Sequence, residues 1–207
     1  TGKAILGAIV FVMIILAFVS FKRGTRTMLD VLREGLPLLI PLSLLGITAG
    51  VLYTSRLESL IAAAAVLILI SPFMNGCGSI GGILTSRIGT EMHMGMIDPV
   101  LFPQKTVLKH FGENYIYSII FLPLMGAIAH FAAVLLGITT PGLLMMVLIS
   151  LLAGILVVTA MNLLGYYTAV ITYRKGFDPD NFGVPVVTSS IDLIGATCLL
   201  AVMMFLL

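Results

Sequence analysis

Six apolar runs, each about long enough to cross a lipid bilayer, occupy most of this sequence: residues 4–21, 35–54, 59–86, 115–137, 141–173 and 183–207. A membrane span needs about 20 mostly apolar residues. Inside lipid every backbone N–H and C=O must be bonded within the protein, so runs of this length fold as helices. The expected fold class is therefore an all-α integral membrane protein. With 59% hydrophobic and only 10% charged residues, the chain is unlike a soluble domain. The longest polar stretches, 22–34 and 87–114, are too short for a catalytic or sensory domain, so function is expected inside the bilayer. The net charge of +2 points to no nucleic acid partner.

Charge placement orients the runs. Lys22, Arg23, Arg26 and Arg33 follow the first run. Arg87, Lys105 and Lys109 lie between the third and fourth, and Arg174 and Lys175 between the fifth and sixth. Only Lys3 and Arg56 fall on the other side, so nine of the eleven basic residues share one face. The positive-inside rule assigns that face to the cytoplasm. A multi-pass protein of the cell membrane with both termini extracytoplasmic is expected. The first run carries its positive charges after the apolar stretch, the reverse of a secretory signal, and reads as an uncleaved helix.

Asp192 is the acid inside the last run, Pro185-Val-Val-Thr-Ser-Ser-Ile-Asp192-Leu-Ile-Gly195. A charge at mid-membrane costs roughly 2.5–3.5 kcal/mol on insertion scales, and such residues usually mark ion or proton pathways. No basic residue in the apolar runs balances it, which suits a mobile counter-charge such as a transported cation. Pro185, Thr188, Ser189, Asp192 and Gly195 recur at three- and four-residue spacing and form one small, polar stripe. Pro185 disturbs the helical hydrogen bonding near it and exposes carbonyl oxygens. Oxygen ligands around one carboxylate suit a hard divalent cation, Mg2+ in particular, which keeps several of its waters. The competing reading is a protonated Asp192 bonded to a neighbouring helix.

Further polar or small positions fall in other runs. Asn75-Gly-Cys-Gly-Ser-Ile-Gly-Gly82 follows Ser71-Pro72, and its four glycines are expected to break or thin the helix. Asn75, Gly76, Gly78 and Ser79 are candidate pore-lining positions, and tight helix packing is the alternative. Gly46-Ile-Thr-Ala-Gly50 reads mainly as a packing motif. Thr159, Asn162 and Tyr166 make a second stripe, in which Asn162 is equally a pore-lining candidate or interhelical glue. His130 stands alone in its run and reads as a packed histidine before a relay. Glu91-Met-His-Met-Gly-Met96 has the donors of a copper(I) site but sits where a helix leaves the membrane. Asp178 and Asp180 either favour the N-terminus of the last helix or form an acidic cytoplasmic vestibule. Cys77 and Cys198 have no metal or redox spacing.

Together these residues resemble a known family. The stretch from Thr159-Ala-Met-Asn-Leu-Leu-Gly165 through Arg174-Lys-Gly-Phe-Asp178-Pro-Asp-Asn181 to Gly195 is similar to the last two helices of MgtE-type magnesium transporters. Their eukaryotic solute-carrier relatives share the Asp-Pro-Asp-Asn opening and the Pro-x6-Asp-x2-Gly pattern. Pro72-Phe-Met-Asn-Gly76 through Thr85-Ser-Arg87-Ile-Gly-Thr90 resembles the family's second core helix. The resemblance covers residues 34–207 and implies a five-helix transmembrane core, with residues 1–21 as an extra N-terminal transmembrane helix. It also implies a homodimer, or a second homologous half in a longer natural chain, with a cation pore on the axis. Asp192 matches the pore aspartate, and Thr188 a position whose carbonyl faces the ion. Val184 departs from the asparagine of bacterial members. The magnesium-sensing CBS domains of those members have no match here, so their gate is not expected to operate.

The expected function is divalent cation transport, with Mg2+ as the ion, Asp192 as principal ligand, and Thr188 and Ser189 beside it. No organic cofactor and no enzymatic activity are expected. Two rivals are a proton- or sodium-coupled carrier using Asp192 and His130, and a non-conducting subunit in which Asp192 fixes packing.

Overall fold

The computed structural model describes residues 26–207, together with Gly7, residues 10–16, Phe18 and Val19. The side chains of residues 26–34, Ser59, Ile61 and Ala62 lie outside that description. The chain divides into two compact units, Thr1–Pro37 and Leu38–Leu207. The expected spanning helix over 4–21 falls for the most part outside the described residues; those of it that are described are helical.

The described elements are all helical: α1 Arg26–Ser55, α2 Leu57–Ala62, α3 Ala64–His93, α4 Lys105–Leu135, α5 Leu143–Lys175 and α6 Val184–Leu206. A π-helical turn, Pro179–Gly183, leads into α6. Among the described residues five segments are long and apolar enough to cross a membrane: Gly35–Ser55, α3, α4, α5 and Pro179–Leu206. The protein is a multi-pass membrane protein. Several helices run past the apolar runs, because turns that project into the interface retain their backbone bonds. Thus α3 continues to His93, and α4 starts ten residues before Tyr115. The run at 59–86 is split by Ala63, whose φ of −115° and ψ of 55° separate α2 from α3.

One expectation is overturned. The glycine-rich segment 75–82 does not break its helix; α3 is continuous from Ala64 through Pro72 to His93. A glycine costs about 1 kcal/mol relative to alanine in a helix. At membrane depth an abandoned backbone bond costs more, and close packing against neighbours offsets the glycine penalty.

Helices α3 and α5 form the middle of the bundle and touch each other; α4 packs on both from one side and α6 from the other. Close approach depends on specific glycines. A β-carbon on Gly126 of α4 would stand 2.5 Å from the Met146 carbonyl oxygen of α5. One on Gly81 would stand 2.9 Å from Val187 of α6. The main core runs through the bundle and includes Leu69, Phe73, Leu122, Val157, Met161, Val187 and Leu199. A second cluster, Leu84, Ile88, Met92, Phe111 and Tyr166 among others, fills the end where α3 and α5 terminate. There the α3–α4 loop is pinned to α5. Tyr166 donates to the carbonyls of Val100 and Phe102 at 2.9 and 3.2 Å, and Arg174 donates to that of Pro99 at 2.6 Å. Helix α5 ends at Gly176, whose φ of +70° is the left-handed cap position that glycine adopts without strain.

Candidate functional site

Helices α3 and α6 run antiparallel, and their register can be read from close approaches. Ser86 of α3 donates to Asp180 Oδ1 at 2.7 Å. One turn along, a β-carbon on Gly82 would meet Val184 and Thr188 at 3.4 and 3.5 Å. Gly78 lies opposite Ile191, and Met74 lies against Gly195. Asp192 is therefore level with Asn75 and Ser79. Between the two helices opens a groove of about 940 Å3. Its polar wall on α3 is Ser71, Asn75, Ser79 and Ser86; on the other side stand Asp180, Thr188 and Asp192. Ser71, Asn75 and Ser79 are spaced by four and share one face. From Ser71 to Ser86 the wall rises about 22 Å at 1.5 Å per residue, most of a bilayer core.

The half-buried Asp192 side chain has no hydrogen bond or ion pair with any described residue. Thr188 also faces the groove, its hydroxyl returned to the Val184 and Pro185 carbonyls at 2.9 and 3.2 Å. These bonds occupy the hydroxyl proton and leave lone pairs on Oγ1. Ser79 similarly donates to the Asn75 carbonyl at 2.9 Å. The groove thus offers oxygens as acceptors around one carboxylate. Among the described residues no cluster of three or more histidine, cysteine or acidic side chains could hold a metal. A fully stripped ion would find no cage in one chain. An ion that keeps its waters needs only one or two carboxylates.

The other sequence candidates fall in different places. Gly78 lines the groove, whereas Gly76 faces Phe121 in an adjoining α3–α4 cleft that Asn75 and Ser79 also line. Pro185 sits in the first turn of α6, and neither it nor Ser189 lines the groove. Asn162 is buried between helices, where its Oδ1 accepts from Asn114 Nδ2 at 2.9 Å; it does not line the groove. Asp178 caps the π-helical turn by accepting from the Asp180 N–H at 2.8 Å, while Asp180 reaches the groove mouth. His130 bonds Thr140 at 2.9 Å beside the α4–α5 turn and is not part of the groove. The Met/His segment does not assemble: Met92 is buried in the core, Met94 and Met96 are exposed, and His93 bonds the Gly89 carbonyl.

Two features went unread in the sequence. Ser71 and Ser86 extend the polar wall, and the spacing by four with Asn75 and Ser79 was the available signal for Ser71. A charged network ties α3 to α4: His110 Nε2 meets Glu91 at 2.9 Å, His110 Nδ1 meets Glu113 at 3.4 Å, and Arg87 meets Glu113 at 2.7 Å. Its signal was the pairing of Arg87 with Glu91 and of His110 with Glu113 on single helix faces.

The MgtE family profile, described as a divalent cation transporter, matches residues 70–202, a span that includes both walls of the groove. Solute carrier family 41 member 3 of Mus musculus is 31% identical over 154 residues, which take in 67% of this chain. The chain spans 31% of that relative's length. No solved structure gives a significant match. On the family match, carried over most of the groove-forming bundle, the chain belongs to the MgtE family of divalent cation transporters.

Proposed function

We propose that the α3–α6 groove is one half of a cation pathway, closed by the same groove of a second copy in a homodimer, and that Mg2+ is its ion. A second homologous half in a longer natural chain would serve equally. The observation that carries this reading is Asp192: a carboxylate at mid-groove with no hydrogen-bond or ion-pair partner among the described residues, level with Asn75 and Ser79. A packing role for the acid would call for a hydrogen-bonded neighbour. Two like charges facing each other across an axis repel unless a cation lies between them. Asp192 is the principal ligand in this reading, Thr188 lies beside it, and Asp180 concentrates cations at the mouth. In this reading residues 34–207 are the transporting domain and residues 1–21 an extra N-terminal transmembrane helix. In the same reading the π-helical turn and the Asp180 mouth face the cytoplasm across a cell membrane, a side that the positive-inside rule favours for the basic loops.

Thermal melting with and without Mg2+ tests the site. An ion that binds the folded protein raises its melting temperature by mass action. Wild type is expected to gain stability at tens of millimolar Mg2+, and Asp192→Asn is expected to lose that gain while still assembling. Equal, unchanged melting temperatures for both proteins would sink the proposal. Cobalt hexammine, which carries fixed ligands in place of waters, is expected to compete with Mg2+.

A further inference from the structure

Beside the ion groove a second cavity opens between α3 and α4, a cleft of about 750 Å3. Its α3 wall runs from Pro72 to Arg87, about 22 Å of helix, more than half of a hydrocarbon core about 30 Å thick. Its α4 wall is Tyr117, Ile120, Phe121 and Leu124, a surface of rings and branched chains. Two polar residues of the lining turn a donor inward: Ser79 donates to the Asn75 carbonyl and Asn114 to Asn162 Oδ1. Arg87 is the charged residue of the lining, near the end where α3 runs past its apolar stretch. Glu113 takes its Nη1 at 2.7 Å, yet the Arg87 side chain stays 43% exposed. A guanidinium carries five N–H donors, so one carboxylate contact leaves others free. At membrane depth there is no bulk water to fill apolar walls, and an empty cleft would forfeit the dispersion contacts of its lining.

We infer that the α3–α4 cleft binds a membrane phospholipid, with its phosphate on Arg87 and one acyl chain laid between the helices toward Pro72. The walls suit a hydrocarbon chain and the basic end suits the phosphate, which sits at the same depth as the end of the apolar stretch. Arginine meets phosphate oxygens with parallel N–H donors, and basic pockets between spanning helices hold anionic headgroups. Neither Arg87 nor Leu124 lines the ion groove, so the site is distinct from the proposed pathway.

The chain has no tryptophan, so one placed in the cleft reports on it alone. Leu124→Trp lies in the cleft; Ile119→Trp, exposed on the same helix, does not line it. Ile120→Trp serves as a second cleft reporter if Leu124→Trp fails to fold. The full chain in detergent is titrated with phosphatidylglycerol brominated on its acyl chains, which quenches a tryptophan that it touches. Quenching at Leu124→Trp is expected to saturate near one lipid per chain, and quenching at Ile119→Trp to rise without saturation. Adding Arg87→Gln to the cleft reporter is expected to weaken the apparent affinity about tenfold, the size of one hydrogen bond to a charged group. Glu113→Gln breaks the same ion pair but keeps the guanidinium, and is expected to hold or tighten the affinity. Brominated diacylglycerol, which has the chains without the phosphate, is expected to bind at least about tenfold more weakly than phosphatidylglycerol, by the same hydrogen bond. Quenching that rises alike at both positions overturns the inference. So does saturable quenching that Arg87→Gln leaves unchanged, or that Glu113→Gln weakens equally, since the phosphate contact then fails. A cleft tryptophan that the lipid never quenches would mean that a second copy of the chain covers the cleft, and the inference fails.

Discussion

The Ser86 hydroxyl of α3 donates to Asp180 Oδ1 at 2.7 Å, joining the end of one groove wall to the turn that begins the other. This bond sits at the proposed cytoplasmic mouth and leaves the second carboxylate oxygen of Asp180 unengaged by any described side chain. Asp180→Asn removes the charge but retains an acceptor. Mg2+ flux into proteoliposomes is expected to fall several-fold at low ionic strength and much less at 1 M salt, where the Debye length is about 3 Å. Stability is expected to change by less than about 1 kcal/mol, since both partners are solvent-accessible. A flux loss independent of salt would count against a vestibule role.

The Asn114–Asn162 amide pair is a structural tie between α4 and α5. Asn114→Leu strands the Asn162 carbonyl oxygen and is expected to cost about 1–2 kcal/mol, within the range for an unsatisfied buried polar group. The Asn114→Leu/Asn162→Leu double variant is expected to recover most of that loss in thermal melts, with Mg2+ affinity unchanged throughout. Abolished Mg2+ binding in Asn162→Leu alone would return Asn162 to the ion pathway.

Two glycines of α4 are expected to respond oppositely to alanine. At Gly126 the new β-carbon would meet the Met146 carbonyl, a backbone atom that cannot swing away, so Gly126→Ala should destabilise by about 1–3 kcal/mol. Gly112 opens onto empty space within the same helix. Gly112→Ala is expected to be neutral or to stabilise by up to about 1 kcal/mol through helix propensity. Equal effects of the two substitutions on the melting temperature would contradict the packing described for α4 and α5.

The His110 network couples the polar ends of α3 and α4. A double-mutant cycle on Glu91→Gln and His110→Asn is expected to give a coupling energy of about 1 kcal/mol, the value typical of partly exposed pairs. Additive effects would show that the two side chains do not stabilise each other.

Orientation is tested by single-cysteine labelling in a background with Cys77 and Cys198 replaced. A cysteine at Lys175, beside the π-helical turn, is expected to be protected from a membrane-impermeant reagent in intact cells. One at Thr139, in the α4–α5 turn, is expected to label. The reverse pattern would overturn the charge-based topology.

Hydropathy alone determined that the chain crosses a bilayer as helices, because an unbroken apolar run of about 20 residues bonds its own backbone in lipid as a helix, whereas barrel strands are shorter and alternate. Chemistry alone singled out Asp192, because an acid in an apolar run is too costly to be incidental. Asn75 and Ser79 were legible as its companions from their spacing on one helix face. The fate of the glycines was not. Whether Gly78, Gly81 and Gly82 break a helix or let α6 approach depends on what packs against them, and in the fold α6 does. The roles of equivalent-looking residues were likewise open in one dimension. Asn162 found a partner on α4, Asp178 turned back to cap its own turn, and Asp180 reached the groove. Gly46 stands far before Asp192 in the chain, and no periodicity links the two. Only the packing of the bundle brings α1 alongside the carboxylate, since contacts between helices are set by complementary surfaces that no single helix encodes.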